Sequence, residues 1–455
     1  MNARSSGSSV RRVQRRGWWA AVSESVESRL WPVPLAAVIV AVALGIVLPR
    51  LDVIVDSSLP TSVDSAVFNG GADTARSVLS SIAGSLITAT SLTFSLTVVA
   101  LQLASSQASP RVLRLFARDR QVHWTLAAFL GTFAYSITVL RSVRSATEDV
   151  PEFVPRISVT FAFILTLVSV VMLVFFLAHL ASQLRVETML KDIHADTDET
   201  IERVGDRNEA ARGVPHPIHR PVIRHSVTSS SSGFITAQDY VALIGVAEDH
   251  AIVIEEKTRV GENIVEGIVL ASWWPSDDAA DDRNVAAIED AIRGAYAIGY
   301  ERTAAEDIDY GTQQILDIAL RALSAGVNDP TTAVHAIGHL SAITARIANM
   351  PRLPAALCDE DGALCVVTTS LSVRDHIDAA LSPIRHYCVG HPAVVKRFIQ
   401  AVQELLVLTD DPDVTAALSA QIDALDPQLR VSHSDPAATK KLLEMVAETR
   451  EMLPS

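Results

Sequence analysis

Hydroxyl side chains recur through residues 77–106 with a helical period. Ser81, Ser85, Thr88, Ser91, Ser95 and Gln102 fall on one third of a helix circumference at ~100° per residue, beside Ser77, Gly84 and Ser106. Such a stripe gains nothing by facing lipid. It faces other protein, where small residues let backbones approach and hydroxyls bond back to carbonyls one turn earlier, or it lines a water-filled path in an oligomer. Thr90, Thr93 and Thr97 occupy the opposite face, where back-bonding is the expectation.

A second polar constellation is Ala325-Gly-Val-Asn-Asp-Pro-Thr-Thr-Ala-Val-His. Asn328, Asp329 and Thr331 could present a helix start to a ligand. Capping accounts for the same residue types: Gly326 stops one helix, Asp329 caps the next, and Pro330 suits its first position. Capping is the reading adopted. His335 and His339 share a helical face, and His386-Tyr-Cys388-Val-Gly-His391 clusters ring nitrogens with a thiol. Neither follows an established zinc spacing, so no metal and no cofactor is expected. No P-loop, nucleotide-binding glycine run, nucleophile elbow or H-E-x-x-H is present, and no enzyme is expected.

The stripe lies in the second of four apolar runs, at residues 34–48, 79–103, 124–140 and 157–180. About 20 helical residues cross a hydrocarbon core. The first run is short and must borrow Trp31, Pro32 and Val33. Within these runs no Asp, Glu, Lys or Arg occurs, which removes the usual mark of a proton-coupled pump. The expectation is a membrane domain of four transmembrane helices over residues 34–180.

Loop charges orient it. A basic tail over residues 1–33 carries six Arg against Glu24 and Glu27, and the loop after the second run carries Arg111, Arg114, Arg118 and Arg120. The first loop holds Asp52, Asp56, Asp64 and Asp73 against Arg50 and Arg76. The positive-inside rule puts both termini in the cytoplasm of a multi-pass protein of a bacterial inner membrane. Pro110 is expected to open a short amphipathic helix that rests on anionic lipid or on an acidic domain.

The two halves differ in charge. Residues 1–180 carry 15 Lys and Arg against 10 Asp and Glu, a net of +5, while the rest carry 23 against 42, a net of −19. An acidic soluble half excludes nucleic acid as a partner and leaves the bilayer, a second copy of the chain and a cytoplasmic protein. Cys358, Cys365 and Cys388 read as reduced thiols.

Beyond the spans the pattern is α+β. A helical stalk is expected over 181–217, ending near Pro215 and Pro217. A small β-rich domain follows over 218–275, with strands at 222–227, 232–236 and 251–256 and a helix capped by Asp239. Its Arg259-Val-Gly-Glu-Asn-Ile-Val-Glu-Gly run resembles the half-barrel corner of biotinyl and lipoyl carrier domains. Lys257 lacks the neighbours a carrier lysine needs, so only the shape is carried over. A helical domain is expected over 284–455, with 284–300 as one amphipathic helix and 363–369 as an isolated strand.

Three longer segments carry a family resemblance. They are Thr93-Phe-Ser-Leu-Thr-Val-Val-Ala-Leu-Gln-Leu-Ala-Ser-Ser-Gln-Ala-Ser-Pro-Arg, Phe129-Leu-Gly-Thr-Phe-Ala-Tyr, and Asp317-Ile-Ala-Leu-Arg-Ala-Leu-Ser-Ala-Gly-Val-Asn-Asp-Pro-Thr-Thr-Ala. Together they resemble the bacterial membrane proteins grouped as domain of unknown function 2254, over about residues 30–430. The resemblance implies the architecture and supplies no catalytic residues. A channel-like homo-oligomer is the first functional expectation, and a non-conducting scaffold or sensor is the alternative.

Overall fold

A computed structural model describes residues 31–55, 67–107, 119–146, 152–213, 218, 220–222, 224–276, 283–431 and 435–453. The basic tail up to residue 30, Asp64, the amphipathic segment at 110–118 and Pro215 and Pro217 lie outside the described residues. The chain forms two compact units, one running through Thr188 and one from Met189 onward.

The first unit is four helices: α1 (Pro32–Val55), α2 (Ala72–Gln107), α3 (Arg120–Leu140) and α4 (Arg156–Gln183). All four are long and apolar enough to cross a membrane. α1 and α3 approach closely because glycine stands at the crossing. A Cβ on Gly45 would lie 2.8 Å from Thr138 Cβ, inside any tolerable contact. Phe129, Tyr135 and Val139 of α3 fill the centre against Leu79, Ile82 and Leu86 of α2 and Val159 and Ala162 of α4. The ring of Tyr135 meets Phe161 edge-on at 5.3 Å, and the Thr132 and Ser169 hydroxyls lie 3.2 Å apart.

One expectation is corrected here. The first span does not stop at residue 48 but runs on to Val55, and so contains Arg50 and Asp52. Apolar Leu51, Val53 and Ile54 around these charges keep the helical pattern going, and Asp52 is buried.

The second unit begins with the body of α5 (Val186–Ala210), whose buried face is Met189, Leu190, Ile193, Thr197, Ile201 and Val204. Two sheets follow. β1 (His225–Thr228), β5 (Val269–Pro275), β3 (Ile252–Glu256), β8 (Leu364–Val367) and β7 (Ala356–Cys358) form one in that order. β4 (Asn263–Ile264), β2 (Gly233–Gln238) and β6 (Tyr296–Gly299) form the other. Helices α6 (Tyr240–His250) and α7 (Val285–Gly294) pack on them over a core of Ile235, Leu243, Ile254, Leu270, Trp273 and Ile292.

Two sequence readings change. The helix expected over 284–300 ends at Gly294, and Tyr296-Ala-Ile-Gly299 becomes strand β6 beside β2. The strand expected to stand alone at 363–369 is β8, which pairs parallel with β3 and antiparallel with β7. Parallel pairing across a hundred residues leaves no local signature. The half-barrel expected over 218–275 is therefore two sheets that draw strands from residues 296–299 and 356–367. Gly261 holds one turn between them: its φ is +85°, and a Cβ would fall 2.5 Å from Asp307 Oδ2.

The remaining helices are α8 (Ile308–Ala322), α9 (Pro330–Asn349), α10 (Val373–Cys388), α11 (Pro392–Leu408), α12 (Pro412–Val431) and α13 (Pro436–Glu451). Their starts are written in the sequence: Asp307 caps α8, Ser372 and Asp375 form a capping box on α10, and proline opens α9, α11 and α13. Helix α5 is tied to this group by Thr200 Oγ1 donating to Ala304 O at 2.6 Å and Asn208 Nδ2 donating to Pro351 O at 2.9 Å.

Candidate functional site

The hydroxyl stripe lies on α2, on the side turned away from the rest of the first unit. Ser81, Ser85, Thr88, Ser91, Ser95 and Gln102 are all exposed, whereas Leu79, Ile82, Ala83, Leu86, Thr93, Thr97 and Ala100 are buried. A Cβ on Gly84 would meet nothing within 4 Å. Ser85 Oγ donates to Ser81 O at 2.8 Å, and Thr88 Oγ1 donates to Gly84 O at 2.9 Å. On the packed face Thr90 Oγ1 bonds back to Leu86 O at 2.7 Å and Thr97 Oγ1 to Thr93 O at 2.8 Å. Thr93 departs from that expectation: its hydroxyl is buried and makes no hydrogen bond among the described residues.

Charged residues that composition alone assigns to loops tie one end of the bundle. Helix α4 starts after Pro155, which offers no side-chain cap. Asp52 of α1 supplies it: Oδ1 accepts from Ile157 N at 2.9 Å, and Oδ2 accepts from Ser158 N at 3.0 Å and Ser158 Oγ at 2.6 Å. Glu152 does the same for α2, accepting from Ala72 N at 2.7 Å. Arg156 Nε donates to Phe68 O at 2.9 Å, and Arg76 Nη1 to Ser145 Oγ at 2.8 Å. Carboxylates at helix N-termini are favoured by the orphan N–H groups and by the helix dipole. At the other end Asp119 caps α3 through Gln121 N at 2.8 Å and meets His179 Nε2 at 2.5 Å. The sequence gives no period that would find these pairs, because each joins residues 60 or more apart.

The Asn-Asp-Pro-Thr-Thr turn is a cap. Asp329 Oδ1 accepts from Thr331 N and Thr332 N, each at 3.1 Å, and Oδ2 accepts from Thr332 Oγ1 at 2.6 Å. These bonds, led by the one from the Thr332 hydroxyl, hold the Asp329 carboxyl below the usual carboxylate range. Asn328 takes the left-handed conformation at φ +50° immediately before the Asp329 cap of α9. Asn328 and Thr331 are exposed at this turn, and Asp329 is half-buried between them.

The histidines separate. His339 faces α5, with its Nδ1 2.8 Å from His194 Nδ1, and Asp198 lies 3.4 Å from His194 Nε2. Burial, and then the neighbouring His194 and His335, push His339 below its usual range. His386 Nδ1 lies 2.7 Å from Ser382 O in its own helix, while Cys388 is buried. Among the described residues no three His, Cys, Asp or Glu side chains are grouped to share a metal.

A polar cluster that pattern reading missed lies in the core of the second unit. Glu255 and Glu256 end β3 with side chains on opposite faces. Glu255 meets Arg220 at 2.7 Å, Arg224 at 2.9 Å and Lys257 at 2.6 Å. Glu256 is 1% exposed and has no such partner among the described residues. Its Oε2 accepts from Thr369 N at 3.2 Å and lies 3.3 Å from the Tyr240 hydroxyl, while Oε1 makes no hydrogen bond among the described residues. Tyr240 also reaches Gln238 Oε1 at 3.4 Å, and Gln238 Nε2 donates to Thr258 O at 2.9 Å. Arg207 stands over the Tyr240 ring at 5.3 Å and pairs with Glu306 at 2.8 Å. Burial pushes the Glu256 carboxyl up to about 8, against smaller lowering effects from the Thr369 N–H, Tyr240 and Arg207.

Four long apolar helices with polar helix-end clamps, followed by a unit of sheets and helices, define a membrane protein. The chain matches the family of predicted membrane proteins DUF2254 over residues 27–404, and it belongs to that family. It is similar to uncharacterised proteins of Mycobacterium tuberculosis and Mycobacterium bovis, each 29% identical over 436 residues, covering 95% of this chain and 82% of the relative. No solved structure matches it.

Proposed function

We propose that the protein works as a channel-like homo-oligomer of a bacterial inner membrane, with second spans facing one another across a polar path. One observation carries this reading. The stripe of Ser81, Ser85, Thr88, Ser91, Ser95 and Gln102 lies on the face of α2 that its own bundle leaves uncovered, where Leu92 and Val99 are exposed among the hydroxyls. In lipid such a face has no partner, so a second copy or water must supply it. Neutral hydroxyls would give weak ion selectivity. Both termini are cytoplasmic in this reading, and no catalytic step is assigned.

The alternative is a non-conducting scaffold or sensor whose acidic C-terminal unit binds a cytoplasmic protein. It is favoured by the back-bonds of Ser85 and Thr88, which leave those hydroxyls satisfied without water.

Single cysteines at Ser81, Ser85, Thr88, Ser91 and Ser95 decide between them. A water-lined path makes the stripe react with small water-soluble thiol reagents in intact membranes, while Leu86, Ile87 and Phe94 stay protected. A silent stripe, with no ion flux from the reconstituted oligomer, sinks the channel reading and leaves the scaffold.

A further inference from the structure

We propose that Glu256 is a proton-operated latch: its carboxylic acid form holds β3 to the segment that leads into the C-terminal helices, and its ionisation releases that segment. The reading is independent of whether the spans conduct.

The argument begins with the contrast between adjacent residues. Glu255 is surrounded by three cations, whereas Glu256 is enclosed on the other face of the strand with none in ion-pair reach among the described residues. A carboxylate there would be a buried charge without a counterion. The groups that face it come from six places. They are Arg207 on α5, Gln238 on β2, Tyr240 on α6, Tyr296 on β6, Glu306 before α8 and the Thr369 N–H after β8. The sole cation among these six, Arg207, is engaged by Glu306. Glu306 takes up the Arg207 charge, and neither phenol brings a positive charge to neutralise a carboxylate here.

The phenol does not change that balance. The Tyr240 hydroxyl has one hydrogen and two acceptors, Glu256 Oε2 at 3.3 Å and Gln238 Oε1 at 3.4 Å. Its bond to Glu256 favours the carboxylate, but by less than burial disfavours it.

The contact that must part is at Thr369, whose N–H favours the carboxylate by less than burial disfavours it, so release is driven by hydration of the charge and not by loss of these bonds. Thr369 N donates to Glu256 Oε2 at 3.2 Å, and Thr369 Oγ1 donates to the Glu256 main-chain oxygen at 2.8 Å. Thr369 stands between β8 and α10. When the acid loses its proton to solvent, the carboxylate must be hydrated, and water reaches it only if β3 and this segment part. Burial has set the midpoint near 8, so the change falls between neutral and moderately alkaline pH.

Two native thiols report it. Cys365 on β8 is buried beside β3, Cys388 is buried in α10, and burial pushes both up to about 12. Both therefore respond alike to the rise of thiolate with pH, and their ratio isolates exposure. Full-length protein in nanodiscs is alkylated briefly between about pH 6 and about pH 10, and each cysteine-bearing peptide is quantified by mass spectrometry. The expected Cys365-to-Cys388 ratio rises on the order of tenfold with a midpoint near 8 and stays flat in Glu256→Gln. Tyr240→Phe, which keeps the acid and removes one bond to its ionised form, moves the midpoint upward and serves if the first variant fails to fold. A flat ratio in the natural protein, the same rise in Glu256→Gln, or an unmoved midpoint in Tyr240→Phe overturns the latch.

Discussion

Asp52 caps a helix that begins more than a hundred residues later, with its Oδ2 accepting from both Ser158 N at 3.0 Å and Ser158 Oγ at 2.6 Å. Asp52→Ala leaves two N–H groups and a buried hydroxyl without acceptors. The expected cost is about 2–4 kcal/mol, more than an exposed cap, because the site is buried. Asp52→Asn, with one acceptor oxygen, should lose less. Thermal unfolding in detergent, followed through the helical signal, checks both, and equal stability of all three proteins would refute the cap.

Gly311 of α8 meets α5 without room for a methyl group, since a Cβ there would lie 1.8 Å from Thr197 Oγ1. Gly311→Ala should destabilise the second unit by about 1–3 kcal/mol through overpacking. Adding Thr197→Ala should recover part of that loss. A single variant as stable as the natural protein would show that the crossing has slack.

Asp329→Ala should cost about 1 kcal/mol, the worth of one N-cap. Asp329 holds its proton less tightly in the folded state, so its contribution is present above the ordinary value of 3.8 and fades as acid protonates the cap. A variant that melts unchanged but loses function would turn the turn from a cap into a binding site.

Glu256 sets the opposite slope. Its folded value near 8 lies above the ordinary 4.5, so between those limits the native state keeps a proton that the unfolded chain releases. Stability therefore falls as pH rises from about 4.5 to about 8 and levels off beyond, by an amount on the order of 5 kcal/mol. Glu256→Gln should melt higher than the natural protein at alkaline pH and about equally at pH 4.5. Parallel melting curves at every pH would refute it.

The four spans were legible because twenty apolar residues in a row have few other uses. Helix starts at Asp239 and Asp329 were legible because capping is local chemistry. What stayed hidden was every partnership across long separations. Asp52 reads as a loop acid until α4 is seen to begin without a cap. Leu364–Val367 reads as a lone strand because its neighbour β3 lies a hundred residues earlier and no hairpin turn joins them. Tyr296–Gly299 was lost to a helix because Asn284–Ile292 sets a strong helical period just before it. For the stripe, spacing gave the face, but which face the bundle covers needed coordinates.

The exchange of caps between distant segments also sets an order of events at the ribosome. Asp52 emerges 105 residues before Ile157 and 106 before Ser158, the groups it caps. At about 5–20 residues per second, the first span waits roughly 5–20 s with an unanswered carboxylate near the bilayer edge. The second span waits for Glu152 in the same way, 80 residues after Ala72. The Asp52 contact cannot form until the start of the fourth helix has been made, and the Ala72 contact cannot form until Glu152 has. A chain interrupted before that point leaves Asp52 without the N–H groups of Ile157 and Ser158 that it caps.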